Sequence, residues 1–226
     1  MTDMHWKVTL ITLFIYIRGK CEVGLHDNEG LRGSIMNLLD QVLEANQSFR
    51  NRLPEKFVHY YSEAGKMPKR QIALFTCMDT RLVDFLEPAM GIGRGEAKVI
   101  KNAGNSVTGP FEATIRSLLV SIFELDVKEI MVIGHLDCGM SHSTSQQLID
   151  KMLARGISPD AIKMVRKELE DWIDHFHHPA DNVEEVVCKI RTNPLIPKDV
   201  PVHGLLFNPH TGELEVIVNG YERVGQ

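Results

Sequence analysis

The sequence predicts an α/β domain with a mostly parallel central sheet, flanking helices, an N-terminal helical arm and a C-terminal strand hairpin. Two observations predict this fold class. Short apolar, β-like runs alternate with segments whose apolar residues recur at helical spacing. The last two β-like runs, 202–207 and 213–218, are joined by a turn-rich segment typical of a hairpin. At 226 residues the chain is long enough to bury its own core.

The first half of the domain begins with a predicted helix over 35–52, where apolar residues recur every three or four positions. The short apolar runs at 72–76 and 97–101 predict parallel strands, and the first of them is expected to be buried on both faces. A brief helix is predicted over 82–90, limited by Pro88.

The second half begins with a helix predicted to start at Thr108 to Pro110, a capping residue followed by a proline in the first turn. Its apolar positions from Phe111 to Phe123 indicate one buried face. The run 130–133 predicts the third strand. Further helices are predicted over 143–154, 159–175 and 182–190.

Composition excludes some classes of function. The formal net charge is −5, so no electrostatic case exists for nucleic-acid binding. Four cysteines in a chain of this size do not form a disulfide framework. A reducing, cytoplasmic setting is therefore expected.

The N-terminus contains a separate apolar run at 8–17. Ten residues are too few for a membrane-spanning helix, which needs about 20, and no signal-type cleavage site follows them. We expect no membrane association and treat residues 1–35 as an N-terminal extension of uncertain status, with the functional domain over 36–226. An arm exchanged between subunits is the alternative. Deletion of 1–35 tests the hypothesis, and loss of folding or assembly would contradict it.

Two short motifs, 58 positions apart, contain the residues best suited to chemistry. Cys77, Asp79 and Arg81 follow one predicted strand, and His135 and Cys138 follow another. In parallel sheets, ligands bind beyond the carboxyl ends of the strands. Two thiolates, one imidazole and one carboxylate form a tetrahedral ligand set for Zn²⁺.

Each motif alone has a simpler explanation. A thiol after a buried strand is usually a small core residue, and Asp79 with Arg81 could be an ordinary surface pair. A histidine at a strand end is commonly hydrogen-bonded within the core. The two motifs together are more specific, because corresponding strand ends then complete one coordination set.

The ordered series Cys-x-Asp-x-Arg, Asn-Ala-Gly and His-x-Asp-Cys-Gly resembles the β-class carbonic anhydrases. The resemblance extends from Leu38 to Val218 and includes residues 101–105, 134–140 and 204–214. It implies a zinc enzyme with one Zn²⁺ per subunit. The implied reaction is reversible hydration of CO₂ to bicarbonate and a proton by a zinc-bound hydroxide.

The resemblance also assigns roles to individual residues. Cys77, His135 and Cys138 would be fixed zinc ligands. Asp79 would either occupy the fourth position or leave it to water by pairing with Arg81, whose planar guanidinium suits a carboxylate. Asp79 and Arg81 are therefore the expected catalytic pair.

Three supporting residues are also expected near the site. Asn102 and Gly104 would shape it through the backbone, although a plain turn explains them as well. Asp137 would orient His135 or a backbone group. A carboxylate capping the following helix is an equally good interpretation of Asp137.

Two alternatives to CO₂ hydration stay open. The resemblance is closest to a branch of the family with Asp inside the His-x-Asp-Cys motif, and that branch includes relatives that hydrolyse carbonyl sulfide or carbon disulfide, which are linear like CO₂. Permanent coordination by Asp79 would instead give a closed, structural zinc site in a non-catalytic protein. The resemblance further implies a homodimer or a multiple of dimers, with the helix over 35–52 as an arm on a partner subunit.

Overall fold

The computed structural model describes residues 37–58, 65–176 and 178–222. The predicted extension at 1–35, its apolar run and the predicted domain start at Met36 lie outside these ranges. The chain divides into two compact units, one ending at Pro54 and the other beginning at Glu55.

The first unit contains helix α1, Leu38–Asn51, within the span predicted for it. The side chain of Asn37 caps the helix by accepting a hydrogen bond from the backbone N–H of Asp40 at 2.9 Å. No residue of α1 is buried. The apolar residues that predicted the helix are therefore exposed, among them Leu38, Leu39, Val42 and Leu43.

The second unit is built on a five-stranded sheet with the order β2-β1-β3-β4-β5. The first four strands are parallel, and β5 pairs antiparallel with β4 as the predicted hairpin requires. The α/β fold with a mostly parallel sheet is thus confirmed. The strands are β1 (Ile72–Cys77), β2 (Ala97–Asn102), β3 (Glu129–His135), β4 (Val202–Phe207) and β5 (Leu214–Val218).

Helices flank this sheet; those predicted over 143–154, 159–175 and 182–190 have bounds within three residues of the prediction, the one predicted over 82–90 is shorter, and Glu55–Val58 was not predicted. They are α2 (Glu55–Val58), α3 (Leu86–Ala89), α4 (Ala113–Phe123), α5 (Ser145–Ala154), α6 (Pro159–Ile173) and α7 (Pro179–Thr192). Single 3₁₀ turns occupy Thr80–Leu82, Ala103–Asn105 and Gly139–His142. Within the described ranges, no helix is both long and apolar enough to cross a bilayer.

The predicted start and buried face of α4 are partly wrong. The Glu112 carboxylate caps the helix by accepting hydrogen bonds from the backbone N–H groups of Thr114 and Ile115, so the helix begins at Ala113 rather than at Thr108 to Pro110. Phe111 and Phe123 were predicted to be buried but are 60% and 65% exposed. Only the residues that face the sheet, such as Ile115 and Leu118, are fully buried.

The core lies between the sheet and its helices. Every residue of β1 is buried, as its continuous apolar run predicted. Helix α7 packs very closely on β3 and β4 because two strand residues are glycines. A Cβ at Gly134 or at Gly204 would lie 2.6 Å or 2.7 Å from a methyl group of Val183.

Candidate metal centre

The two motifs meet at one edge of the sheet. Strands β1 and β3 are parallel neighbours, so Cys77 and His135 end up side by side at the carboxyl ends of their strands. The Sγ atoms of Cys77 and Cys138 are 4.0 Å apart. One donor atom from each of Cys77, His135 and Cys138 lies within 4.8 Å of the other two. These three residues form the donor cluster.

The imidazole of His135 is oriented for coordination through Nε2. Its Nδ1 is 2.9 Å from the carbonyl oxygen of Leu136. Its Nε2 is buried and has no hydrogen-bond partner among the described residues. A buried polar atom without a partner is costly, and a metal ion would satisfy it. Two thiols and an imidazole are the donors that zinc prefers, so this cluster fits a zinc ion.

The backbone turn between His135 and Cys138 explains how both side chains reach the same point. Asp137 has a φ of 53°, in the left-handed region, where aspartate is among the better tolerated residues. This turn directs the chain back toward the sheet, so that Cys138 is 98% buried beside His135.

The thiols interact strongly even without a cation. The hydrogen bond with Cys138 lowers the pKa of Cys77 to about 4, against the opposing effect of burial. The same hydrogen bond, together with burial, raises the pKa of Cys138. Burial lowers the pKa of His135, but the neighbouring Cys77 thiol, the Leu136 carbonyl and the Asp79 carboxylate together outweigh that effect, so the pKa of His135 is raised. Cys77 therefore ionises more readily than Cys138, and binding of a metal ion would release the proton of the second thiol.

Gly104 contributes through its backbone. Its N–H hydrogen bonds to Cys77, which favours the thiolate, and its φ is 70°. A Cβ there would lie 2.9 Å from Cγ of Met140 and 3.1 Å from the ring of Phe176. The Asn182 amide donates to the Gly104 carbonyl at 3.0 Å. No local sequence signal pointed to Asn182, because its contact with Gly104 joins distant segments.

The Asn102 side chain hydrogen bonds to the turn that carries Gly104. Its amide donates to the carbonyl of Ser106 at 2.8 Å and to the hydroxyl of Thr114 at 3.1 Å. Its Oδ1 accepts from the backbone N–H of Ser106 at 3.0 Å. Asn102 therefore closes the turn that carries Gly104 rather than facing the donors.

Asp79 pairs with Arg81 beside the cluster. Arg81 donates from Nε to Oδ1 at 3.0 Å and from Nη2 to Oδ2 at 2.9 Å, a two-bond contact. Oδ2 of Asp79 also lies 3.8 Å from Nε2 of His135. The side-chain hydrogen bond from Arg81 lowers the pKa of Asp79 to about 2. Asp79 is therefore ionised, close to the donors and engaged by Arg81.

The structure corrects both interpretations of Asp137. The Asp137 carboxylate does not orient His135, whose Nδ1 contacts a carbonyl instead, and it caps no helix. It accepts from Nη1 of Arg81 at 3.0 Å, and its backbone oxygen accepts from Nη2 at 2.7 Å. Sequence patterns alone do not predict this contact, because the two residues come from different strand ends.

Comparison with known proteins agrees with this geometry. The family model described as carbonic anhydrase matches residues 72–214. The Bacillus subtilis protein YtiB, provisionally named a carbonic anhydrase, is 42% identical over 190 residues, which cover 82% of this chain and 99% of that protein. The carbon disulfide hydrolase of Acidianus is 31% identical over 161 residues, covering 64% of this chain and 76% of that protein.

Among solved structures, that of β-carbonic anhydrase isoform I from Trichomonas vaginalis is 46% identical and superposes with a TM-score of 0.77. The match covers 82% of this chain and all of that one. Taken with the donor cluster at the sheet edge, these similarities show that the chain belongs to the β-carbonic anhydrase family.

Proposed function

We propose that this protein catalyses the zinc-dependent, reversible hydration of CO₂ to bicarbonate and a proton. The observation that carries the proposal is the two-bond contact between Asp79 and Arg81, made directly beside three buried metal-type donors. A purely structural zinc site takes four protein ligands and has no need of an arginine that engages the fourth.

Cys77, His135 and Cys138 would hold the ion, one per subunit. Zinc bound by such residues supplies Lewis acidity that makes water a nucleophile near neutral pH. The three donors hold their positions because they are buried and belong to strand ends.

Arg81 would keep the fourth position available. Both carboxylate oxygens of Asp79 are occupied by its guanidinium, so Asp79 is held away from the donor cluster although it lies near His135. With a pKa of about 2, Asp79 stays ionised and acts as a hydrogen-bond acceptor that orients the attacking water. Release of Asp79 from Arg81 would let the carboxylate close the site. A higher pH would favour hydroxide over the Asp79 carboxylate at the fourth position, so activity should rise between about pH 6.5 and 9. Zinc held by three histidines in a carbonic anhydrase lowers the pKa of water to roughly 7.

Stopped-flow CO₂ hydration by the zinc-loaded protein at pH 7 and 8.5, with Asp79→Ala and Arg81→Ala alongside, tests the proposal. Fast hydration is expected in the wild type and a large loss in both variants, with zinc retained. Arg166→Ala is the control, because Arg166 also contacts a carboxylate but on an exposed helix face. Wild-type turnover by Arg81→Ala would contradict the proposal that Arg81 keeps Asp79 from occupying the fourth position.

Carbon disulfide or carbonyl sulfide hydrolysis is the second candidate. It is favoured by the 31% identity to a carbon disulfide hydrolase. Both substrates are linear like CO₂, so the donor cluster suits them equally. If zinc is present and CO₂ hydration is absent at both pH values, hydrolysis of these two substrates becomes the expected activity.

We further propose a cytoplasmic homodimer or a multiple of dimers. Cys77, Cys138 and Cys188 are all free thiols, which fits a reducing compartment. The exposed apolar residues of α1 offer a surface that a second subunit would cover. Sedimentation of the intact chain, compared with a variant in which Leu39 and Val42 are changed to Ser, tests the assembly. Monomeric wild-type protein would contradict it.

A further inference from the structure

Arg81 is held on two sides. Its guanidinium donates four hydrogen bonds, two to Asp79 and two to Asp137. One edge, Nε with Nη2, faces the carboxylate of Asp79. The other, Nη1 with Nη2, faces the side chain and the backbone oxygen of Asp137. Because the guanidinium is planar and rigid, fixing one edge fixes the direction of the other.

Asp137 is well placed to fix one edge of the Arg81 guanidinium. It lies between His135 and Cys138, two members of the buried donor cluster, so its backbone position is tied to the cluster. Arg81 has no comparable support of its own, since 35% of its side chain is exposed and it belongs to a short 3₁₀ turn. Among the described residues, Nε2 of His142 also lies near the Asp137 carboxylate, at 3.7 Å.

We propose that Asp137 is a positioning residue that holds Arg81 in the orientation that keeps Asp79 away from the metal. Without the Asp137 carboxylate, the guanidinium edge that faces Asp137 loses one of its two acceptors. Arg81 then turns toward solvent more often, and Asp79 is released toward the donor cluster. Asp137 does not touch the reacting atoms in this scheme. It acts through Arg81, and the balance between the open and closed states depends on it.

The test compares two left-handed aspartates. Asp137→Asn and Asp137→Gly remove the charge or the whole side chain while tolerating a φ of 53°. Asp126→Asn and Asp126→Gly are the matched controls, because Asp126 is partly exposed, has a φ of 56° and pairs with Lys128 away from the donor cluster. Circular dichroism and metal content establish that each variant folds and binds its ion.

The decisive readout is the ligand set of the metal. Zinc-loaded protein is examined by X-ray absorption, and the cobalt-substituted protein by its d–d absorption, with Asp79→Asn as the reference that has no carboxylate to bind. We expect both Asp137 variants to move toward carboxylate coordination and both Asp126 variants to match the wild type. In the Asp79→Asn background, Asp137→Asn should change nothing further, because Asp137 acts only through Asp79.

Turnover provides the second readout and rests on the proposed function. Because the ion pair is largely exposed, kcat should fall about two- to fivefold in Asp137→Asn, with KM unchanged. Lower turnover with an unchanged ligand set would overturn the positioning role, and so would wild-type behaviour in both readouts. If the wild type shows no CO₂ hydration, the proposed function fails, while the ligand set still decides the role of Asp137.

Discussion

The donor cluster and the Asp79–Arg81 pair are neighbours, yet the protein holds them in different ways. His135, Cys138 and Cys77 are 1%, 2% and 5% exposed and end or follow buried strands. The side chains of Asp79 and Arg81 are 18% and 35% exposed and are held mainly by each other and by Asp137. The difference teaches that the site has a fixed part, three buried donors that could retain an ion, and a more exposed part, which under the proposed function would exchange and so open or close one position.

The fixed part should fail completely when one donor is removed. Cys138→Ser is expected to reduce bound zinc from about one ion per chain to almost none and turnover by at least about 10³-fold. The reason is that a hydroxyl is a poor replacement for a buried thiolate. Zinc content by mass spectrometry and stopped-flow hydration check this. Cys188→Ser is the control, since Cys188 is an exposed free thiol, and zinc retained by Cys138→Ser would break the distinction.

A change in the exchangeable part, Asp79 and Arg81, should lower turnover without lowering zinc content. Arg81→Lys keeps the positive charge but lacks the planar two-bond contact, so Asp79 is held less firmly. We expect turnover to fall about tenfold while zinc content stays at the wild-type level. Parallel zinc and rate measurements check the prediction. Zinc loss comparable to that of Cys138→Ser would show that the two parts are not separable.

Gly104→Ala tests how tightly the backbone around the fixed part is packed. The left-handed backbone strain and the contact of the new Cβ with Met140 should together lower the free energy of unfolding by about 2–3 kcal/mol. Gly156→Ala is the matched control, because Gly156 has a φ of 84° with nothing within 4 Å of the added Cβ. It should cost only about 1 kcal/mol, from the left-handed backbone strain alone. Denaturant unfolding of both variants measures the difference, and equal losses would exclude the steric contribution.

The smallest effect concerns the pH dependence of stability. The pKa of Asp79 is lowered from 3.8 to about 2 in the folded protein, chiefly by Arg81. Its contribution to stability is therefore complete above the ordinary pKa and disappears as the pH falls through the lowered one. Unfolding of metal-free wild type and Asp79→Asn between pH 6 and about 2 measures this contribution. A difference that stays constant across the whole range would contradict it.

Whether a feature could be predicted from the sequence depends on how far apart its residues lie along the chain. The buried strand β1 and the candidate donors Cys77 and His135 could be predicted from the sequence, because apolar runs and ligand chemistry are local properties. Contacts between distant segments were not. Arg81 and Asp137 are 56 positions apart, and Asn182 and Gly104 are 78 apart. No periodicity or motif joins such pairs, because the fold alone decides which of several polar partners is within reach.

The late position of helix α7 and strand β4 in the chain has a consequence for biosynthesis. Phe207 of β4 pairs with His135 and accepts the N–H of Leu136, while Val183 of α7 packs against Gly134. All these supports follow Cys138 by dozens of residues and leave the ribosome after it. A nascent chain thus contains every donor before it can hold them in place. Metal would therefore be held only after β4 has been synthesised and has left the ribosome, so metal binding would follow the synthesis of this segment rather than guide it.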